Sequence, residues 1–220
     1  MPFRFSCFIS YRAGTRQKDN PYIIRVTDDL RAHLSSELEL LLDEEVSEVY
    51  LDRTRLQGGD FFTSNLQIAL CESICMILLY TPTYFSPIHT FCAREYKAMV
   101  ALEAERLRGL GRAHAHHGLI LPVVLRSKDQ LPLEISNSRH FYDFEAYLQG
   151  EGKMKRPVAY FKEIRNIAEY IAERYWDFSE SGQDPCANCL NFRFPEHEEV
   201  AAWVRQIMRR RRRPSTGTAS

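Results

Sequence analysis

The side chains in this sequence best equipped for chemistry are one carboxylate, a strand-end cluster of hydroxyls with an arginine, and scattered thiols and imidazoles. Glu95 closes Cys92-Ala93-Arg94-Glu95, inside a stretch rich in alanine, leucine, glutamate and arginine that predicts a helix from about Thr90 to Arg108, ended by Gly109 and Gly111. Phe91 stands four residues before Glu95, so in a helix already begun there an aromatic ring and the carboxylate share one face. Such a pair offers a stacking surface beside a group that stabilises positive charge. The plainer reading of Glu95 is an acidic residue in a first helical turn, favourable to the helix dipole. Cys92 reads as a packing residue rather than a nucleophile. Ser10-Tyr11-Arg12 ends an apolar segment, where Arg12 is suited to a phosphate and Ser10 and Tyr11 serve either a ligand or the backbone groups of a strand end.

Other candidates are weaker. Cys186-Ala187-Asn188-Cys189 has the spacing of half a zinc site, with His197 within reach, but no second cysteine pair completes it, and a metal-free loop is the expectation. His114, His116 and His117 read as surface residues of a Gly-containing connection. The run Arg209 to Arg213 is suited to acidic surfaces; in a chain of zero formal charge it reads first as a solvated helix end, so nucleic acid is not an expected partner. Of six cysteines, four sit in apolar or helical patterns where a reduced thiol behaves as a small hydrophobe, which points to a reducing compartment. The start of the chain lacks the pattern of a secretory signal, and the longest apolar run, Ile74 to Tyr80, is too short to cross a bilayer. A cytoplasmic protein with no membrane contact is expected.

The elements that must position these residues follow from periodicity. Phe3 to Ser10 predicts a first strand, and Asn20-Pro21 starts a helix with Ile23, Val26, Leu30, Leu34, Leu38 and Leu41 on one face. Val46 to Leu51 predicts a second strand, Asp52 to Asp60 a polar loop with the pair Gly58-Gly59, and Asp60 the cap of a helix through Leu70. Ser73 to Tyr80 is the nearly all-apolar run of a central parallel strand. Leu119 to Leu125 and His140 to Phe144 predict two more strands, and Val158 to Tyr175 a helix. Asp177 to Phe194 reads as a loop, followed by a helix opened by Pro195 with Val200, Trp203, Val204, Ile207 and Met208 as its stripe. Strand and helix alternating five times imply a three-layer α/β fold with a five-stranded parallel sheet, and ligands in such sheets bind beyond the carboxyl ends of the strands.

Three motifs coincide at those ends: Phe8-Ile9-Ser10-Tyr11 after the first strand, Leu51-Asp52-Arg53 through Gly58-Gly59-Asp60 after the second, and Tyr80-Thr81-Pro82-Thr83-Tyr84-Phe85-Ser86 with Cys92-Ala93-Arg94-Glu95 after the third. In their order and placement the chain, from Phe3 to about Tyr175, closely resembles the TIR (Toll/interleukin-1 receptor) family in its bacterial form. The resemblance implies a flavodoxin-like TIR domain over 1–175; beyond it the residue pattern reads as a C-terminal extension with an amphipathic helix over 176–213 and a polar, small-residue tail over 214–220 that is expected to be disordered.

It also implies an activity. Enzymatic members carry a catalytic glutamate near the start of the third helix, which the Cys-x-x-Glu motif here places at Glu95. Cleaving the nicotinamide bond of NAD asks less of a protein than ordinary glycoside hydrolysis, because nicotinamide leaves as a neutral molecule and a lone carboxylate can stabilise the oxocarbenium-like ribose. The resemblance brings Ser10, Tyr11, Arg12, Asp52, Arg53, Leu56, Phe91 and Cys92 to the nucleotide; family enzymes commonly carry tryptophan where Phe91 stands. NAD is then substrate and no cofactor or metal is called for. The family further implies self-association through TIR domains, a mobile loop at Asp52 to Asp60, upstream sensors or downstream effectors, and a role in bacterial anti-phage immunity. The alternative is a non-enzymatic TIR module that acts only by docking, as an adaptor or virulence factor. A phosphoryl-accepting receiver domain shares the fold but needs acidic residues at the first strand's end and an aspartate at the third's, where this chain has Ser10-Tyr11-Arg12 and Tyr80-Thr81-Pro82.

Overall fold

A computed structural model describes residues 3–14, 20–51, 62–110, 116–148 and 154–211. Phe5–Ser10 (β1) and Ser73–Tyr80 (β3) are buried along their whole length, as parallel strands covered on both faces must be. They lie side by side with Phe5 opposite Ser73 and Ser10 opposite Leu78. Val49–Leu51 (β2) flanks β1, while Ile120–Val124 (β4) and Tyr142–Asp143 (β5) continue beyond β3, so the five parallel strands run β2-β1-β3-β4-β5. This is a flavodoxin-like three-layer α/β fold, and its strand order reverses between β1 and β3.

The first helix, Pro21–Leu38 (α1), starts as its residues require: Pro21 lacks an amide hydrogen to satisfy, and Asn20 Oδ1 accepts from the Tyr22 amide at 3.0 Å. Its stripe of Ile23, Val26, Leu30, Leu34 and Leu38 is buried against the sheet and against Val158–Ser181 (α5). Phe62–Cys71 (α2) and Phe91–Leu110 (α3) pack against each other, and His197–Arg211 (α6) lies on α3. No helix among the described residues is long and apolar enough to cross a membrane.

Several boundaries differ from expectation. α1 stops at Leu38, leaving Leu41 outside it and 37% exposed. Val46 belongs to a turn closed by its amide on Asp43 O at 3.0 Å, so β2 is shorter than predicted. β4 and β5 are also shorter, and between them stand only a short turn of 3-10 helix, Lys128–Gln130, and Leu133–Ser136 (α4) in place of a full crossover helix. Gly109 lies inside α3 rather than ending it, and a Cβ there would require only the flexible end of the Gln183 side chain to move, since its Oε1 would otherwise lie 2.2 Å away. α5 runs on through Ser181 because Phe178 supplies one more buried contact, edge-on to Phe3 at 5.4 Å, and Gly182 then takes the left-handed cap at φ 67°. The expected loop therefore begins after the helix, not at Asp177. α6 begins at His197, not at Pro195. Asp60, Gly58, Gly59 and Gly111 lie outside the described residues.

The cysteines require the largest correction. Cys71, expected to be a reduced packing thiol, is bonded to Cys189, joining the end of α2 to a turn of 3-10 helix at Cys189–Asn191. Next to this bond Arg106 is buried, donating from Nη1 to Ser73 O at 2.9 Å, from Nη2 to Cys71 O and from Nε to Pro185 O at 3.3 Å. One guanidinium thus satisfies three main-chain carbonyls where β3 begins. Replacing it with leucine leaves those carbonyls without their donor, and an Arg106→Leu variant is expected to lose about 3 kcal/mol, read as a lower urea midpoint at unchanged slope.

Candidate active site at the sheet switch point

The carboxyl ends of β1 and β3, on either side of the strand-order reversal, are where ligands bind in open α/β sheets. Ser10, the last residue of β1, is 1% exposed there. α3 begins at Phe91, so Phe91 and Glu95 do stand one turn apart on the same helix. The site therefore has two walls, a strand end and a helix start.

Glu95 is 8% exposed and its Oε2 accepts a hydrogen bond from Ser10 Oγ. It is the fifth residue of α3, beyond the free amides of the first turn, and that turn holds no acidic side chain. The helix-dipole account of Glu95 thus loses its basis. A carboxylate withdrawn from water this far is costly unless it is hydrogen-bonded, and the Ser10 hydroxyl supplies that bond.

Tyr84, from the loop between β3 and α3, completes the arrangement: its hydroxyl lies 2.5 Å from Ser10 Oγ. Burial first, with Cys92 and Glu95 nearby adding to it, pushes the Tyr84 phenol well above its ordinary value, so it remains protonated. Ser10 has a single proton and gives it to Glu95; the phenol must then be the donor to Ser10. The chain Tyr84 to Ser10 to Glu95 is directional, and its last acceptor is the carboxylate. Tyr84 Oη also lies 3.5 Å from Cys92 O, a longer and weaker alternative.

The neighbouring residues divide. Cys92 is 6% exposed and its thiol donates to Tyr11 O at 3.6 Å, tying the helix start to the end of β1. Arg12 spends its guanidinium on main-chain carbonyls, Nη1 on Thr83 O at 2.5 Å and Nε on Gly14 O at 3.3 Å. It thereby links the two loops that border the switch point. Phe91 is 45% exposed, with the Arg94 guanidinium 5.3 Å from its ring centroid. Ser10, Tyr11, Arg12, Phe91, Cys92 and Glu95 are thus brought to one end of the sheet. Asp52, Arg53 and Leu56 lie outside the described residues.

The chain matches no protein-family model, no curated protein and no solved structure. What the site can do must be argued from its own atoms. A buried, oriented carboxylate beside a half-exposed aromatic ring suits a ligand that develops positive charge next to a flat group.

The other sequence candidates resolve differently. Cys189 is engaged with Cys71, and His197 Nδ1 shares a 2.7 Å hydrogen bond with Thr90 Oγ1, so these groups serve structure on two separate elements. Among the described residues no group of three or more His, Cys, Asp and Glu side chains is arranged to hold a metal ion. His114 is outside the described residues; His117 packs against Tyr170 with ring centroids 6.4 Å apart. A cleft of about 410 Å³ lined by Cys71, Arg106, Pro185 and Phe192 lies by the start of β3, at the end of the sheet opposite Glu95. Sequence reasoning quoted Tyr84 in the third strand-end motif and Thr90 as a helix start but gave neither a role in the site. The signal for Tyr84 was a phenol four residues beyond the end of the central strand, near its carboxyl end, where a buried hydroxyl has to find a partner.

Proposed function

We propose that this chain is a TIR-type NAD glycohydrolase in which Glu95 is the catalytic carboxylate. The observation that carries the reading is Glu95 itself, buried at the switch point and held there by Ser10. The three motifs at the strand ends support the same reading. Nicotinamide departs from NAD as a neutral base, so the chemical demand is to orient the ribose and to stabilise the positive charge that grows on it. Glu95 supplies the negative charge, Ser10 fixes the direction of its carboxylate, and Phe91 offers a ring for a flat base. Water capturing the ribosyl cation gives ADP-ribose; an internal nucleophile gives a cyclic product. In the same proposal the enzyme acts in the cytoplasm in bacterial immune signalling, and self-association of TIR units, prompted by a sensor, switches it on.

The test is nicotinamide release from NAD by concentrated protein, with and without extract from challenged cells. Release that depends on Glu95 establishes the enzyme and justifies identifying the product. No release under any assembling condition sinks the reading in favour of a module that acts by docking alone.

A further inference from the structure

The chain beyond α5 touches the candidate site at one place, and does so repeatedly. The Phe194 ring centroid lies 4.9 Å from the Arg94 guanidinium, Pro195 O accepts from Arg94 Nε, and the Glu196 carboxylate lies 3.5 Å from Arg94 Nη2. His197, the next residue, bonds Thr90 at 2.7 Å, and Thr90 is 4% exposed. Thr90 and Arg94 are themselves joined, since the Arg94 amide donates to Thr90 O at 2.8 Å and so closes the first turn of α3. Four consecutive residues of the extension therefore hold the two ends of the turn that delivers Glu95.

The segment is anchored on both sides. Downstream, α6 is fixed on α3 by Trp203, stacked on Tyr96 with centroids 5.5 Å apart and donating from Nε1 to Glu134 at 2.6 Å. Upstream, the anchor is the covalent bond from Cys189 to Cys71, with Cys189 4% and Cys71 2% exposed. The two anchors differ in kind, for only the upstream one can be undone by electron transfer.

We propose that residues 189–197 form a strap that positions Glu95 through Thr90 and Arg94, locked by the Cys71–Cys189 bond and loosened when that bond is reduced. The strap rests on the reading of Glu95 as the NAD-cleaving carboxylate. Reduction by a dithiol breaks the sulfur–sulfur bond, places a hydrogen on each of Cys71 and Cys189, and leaves the reductant as its own disulfide. Cys186, close by with its thiol donating to Cys71 O at 3.5 Å, does not do this unaided: burial pushes it up to about 11, so at neutral pH it stays a weakly nucleophilic thiol. An external reductant is required. In a reducing cytoplasm, disulfides are usually transient and redox-sensing, which is the use the geometry suggests for this one.

Two readouts on the full chain test the strap. Oxidised protein, protein reduced with dithiothreitol and shown by mass to have gained two free thiols, and His197→Ala are compared by amide hydrogen exchange and by nicotinamide release. Reduction and His197→Ala are each expected to raise exchange in the first two turns of α3 roughly tenfold while α1 is unchanged, and to lower kcat roughly tenfold with little change in KM. His197→Asn, which keeps a polar partner for Thr90, is expected to recover most of the loss. Unchanged exchange at α3 after verified reduction overturns the strap. Exchange that responds while kcat does not, in a protein whose turnover is abolished by Glu95→Gln, also overturns it and leaves the enzymatic reading standing. Exchange that responds in a protein with no NAD cleavage at all supports the strap and overturns the role given to Glu95.

Discussion

Glu95→Gln is expected to lower nicotinamide release about 10³-fold, almost entirely in kcat, corresponding to about 4 kcal/mol of transition-state stabilisation. Glutamine has nearly the size of glutamate and keeps an oxygen for the Ser10 hydroxyl, so the α3 start and its contact with β1 should survive. What disappears is the negative charge, which matters most when positive charge has grown on the ribose and little when NAD is still intact. Substrate binding should accordingly change far less than turnover. Because the substitution also removes the cost of burying a charge, the variant should melt no lower than wild type. Retention of more than a tenth of wild-type kcat in a folded Glu95→Gln protein would show that this carboxylate is not the catalytic group.

Ser10→Ala is the second large effect, expected to lower kcat about 10²-fold. The hydroxyl is the link between the fully buried Tyr84 and Glu95, and removing it both frees the carboxylate to turn and leaves the Tyr84 phenol without its short acceptor. Tyr84→Phe removes only the upstream donor, so Ser10 keeps its bond to Glu95, and a smaller loss of about tenfold is expected. The two substitutions together should cost little more than Ser10→Ala alone, since they interrupt one chain. The sign of the pH dependence follows from the phenol: its ionisation lies well above the ordinary value, so the donor form persists and Tyr84 adds no alkaline decline to wild-type activity up to about pH 10. A wild-type decline below that pH which vanishes in Tyr84→Phe would contradict the assigned direction of the chain.

The fold was legible because its signals are local. The Asn20-Pro21 start, the α1 stripe and the nearly all-apolar run of β3 each lie within a few residues, and their alternation implies the parallel sheet, while its flavodoxin-like arrangement came from the family resemblance. That Ser10 and Glu95 share one end of the sheet was expected for the same reason, as a strand end and a helix start both face the switch point; the hydrogen bond between them was not. What stayed hidden was non-local. Cys71 and Cys189 are 118 residues apart, and nothing in the surroundings of either marks the other as its partner. Thr90 and His197 are likewise joined only by the docking of α6 on α3. His197 was associated with Cys186 and Cys189 because they are near in sequence, whereas its partner is on another element. The end of α5 was misjudged because Asp177, Ser179, Glu180 and Ser181 have the composition of a loop, and the buried Phe178 alone carries the helix forward.

The placement of β1 has a consequence for synthesis of the chain. It leaves the ribosome before β2 and β3, yet it pairs with β2 through Cys7 and Val49 and with β3 through Phe5 and Ser73, so both neighbours are still unmade when it emerges. A strand destined for complete burial, left with two unsatisfied edges, is the form most apt to pair with the wrong chain. During translation this chain is therefore most vulnerable between the emergence of β1 and that of β3, and slowing elongation between residues 10 and 80 should cost more soluble product than slowing it later.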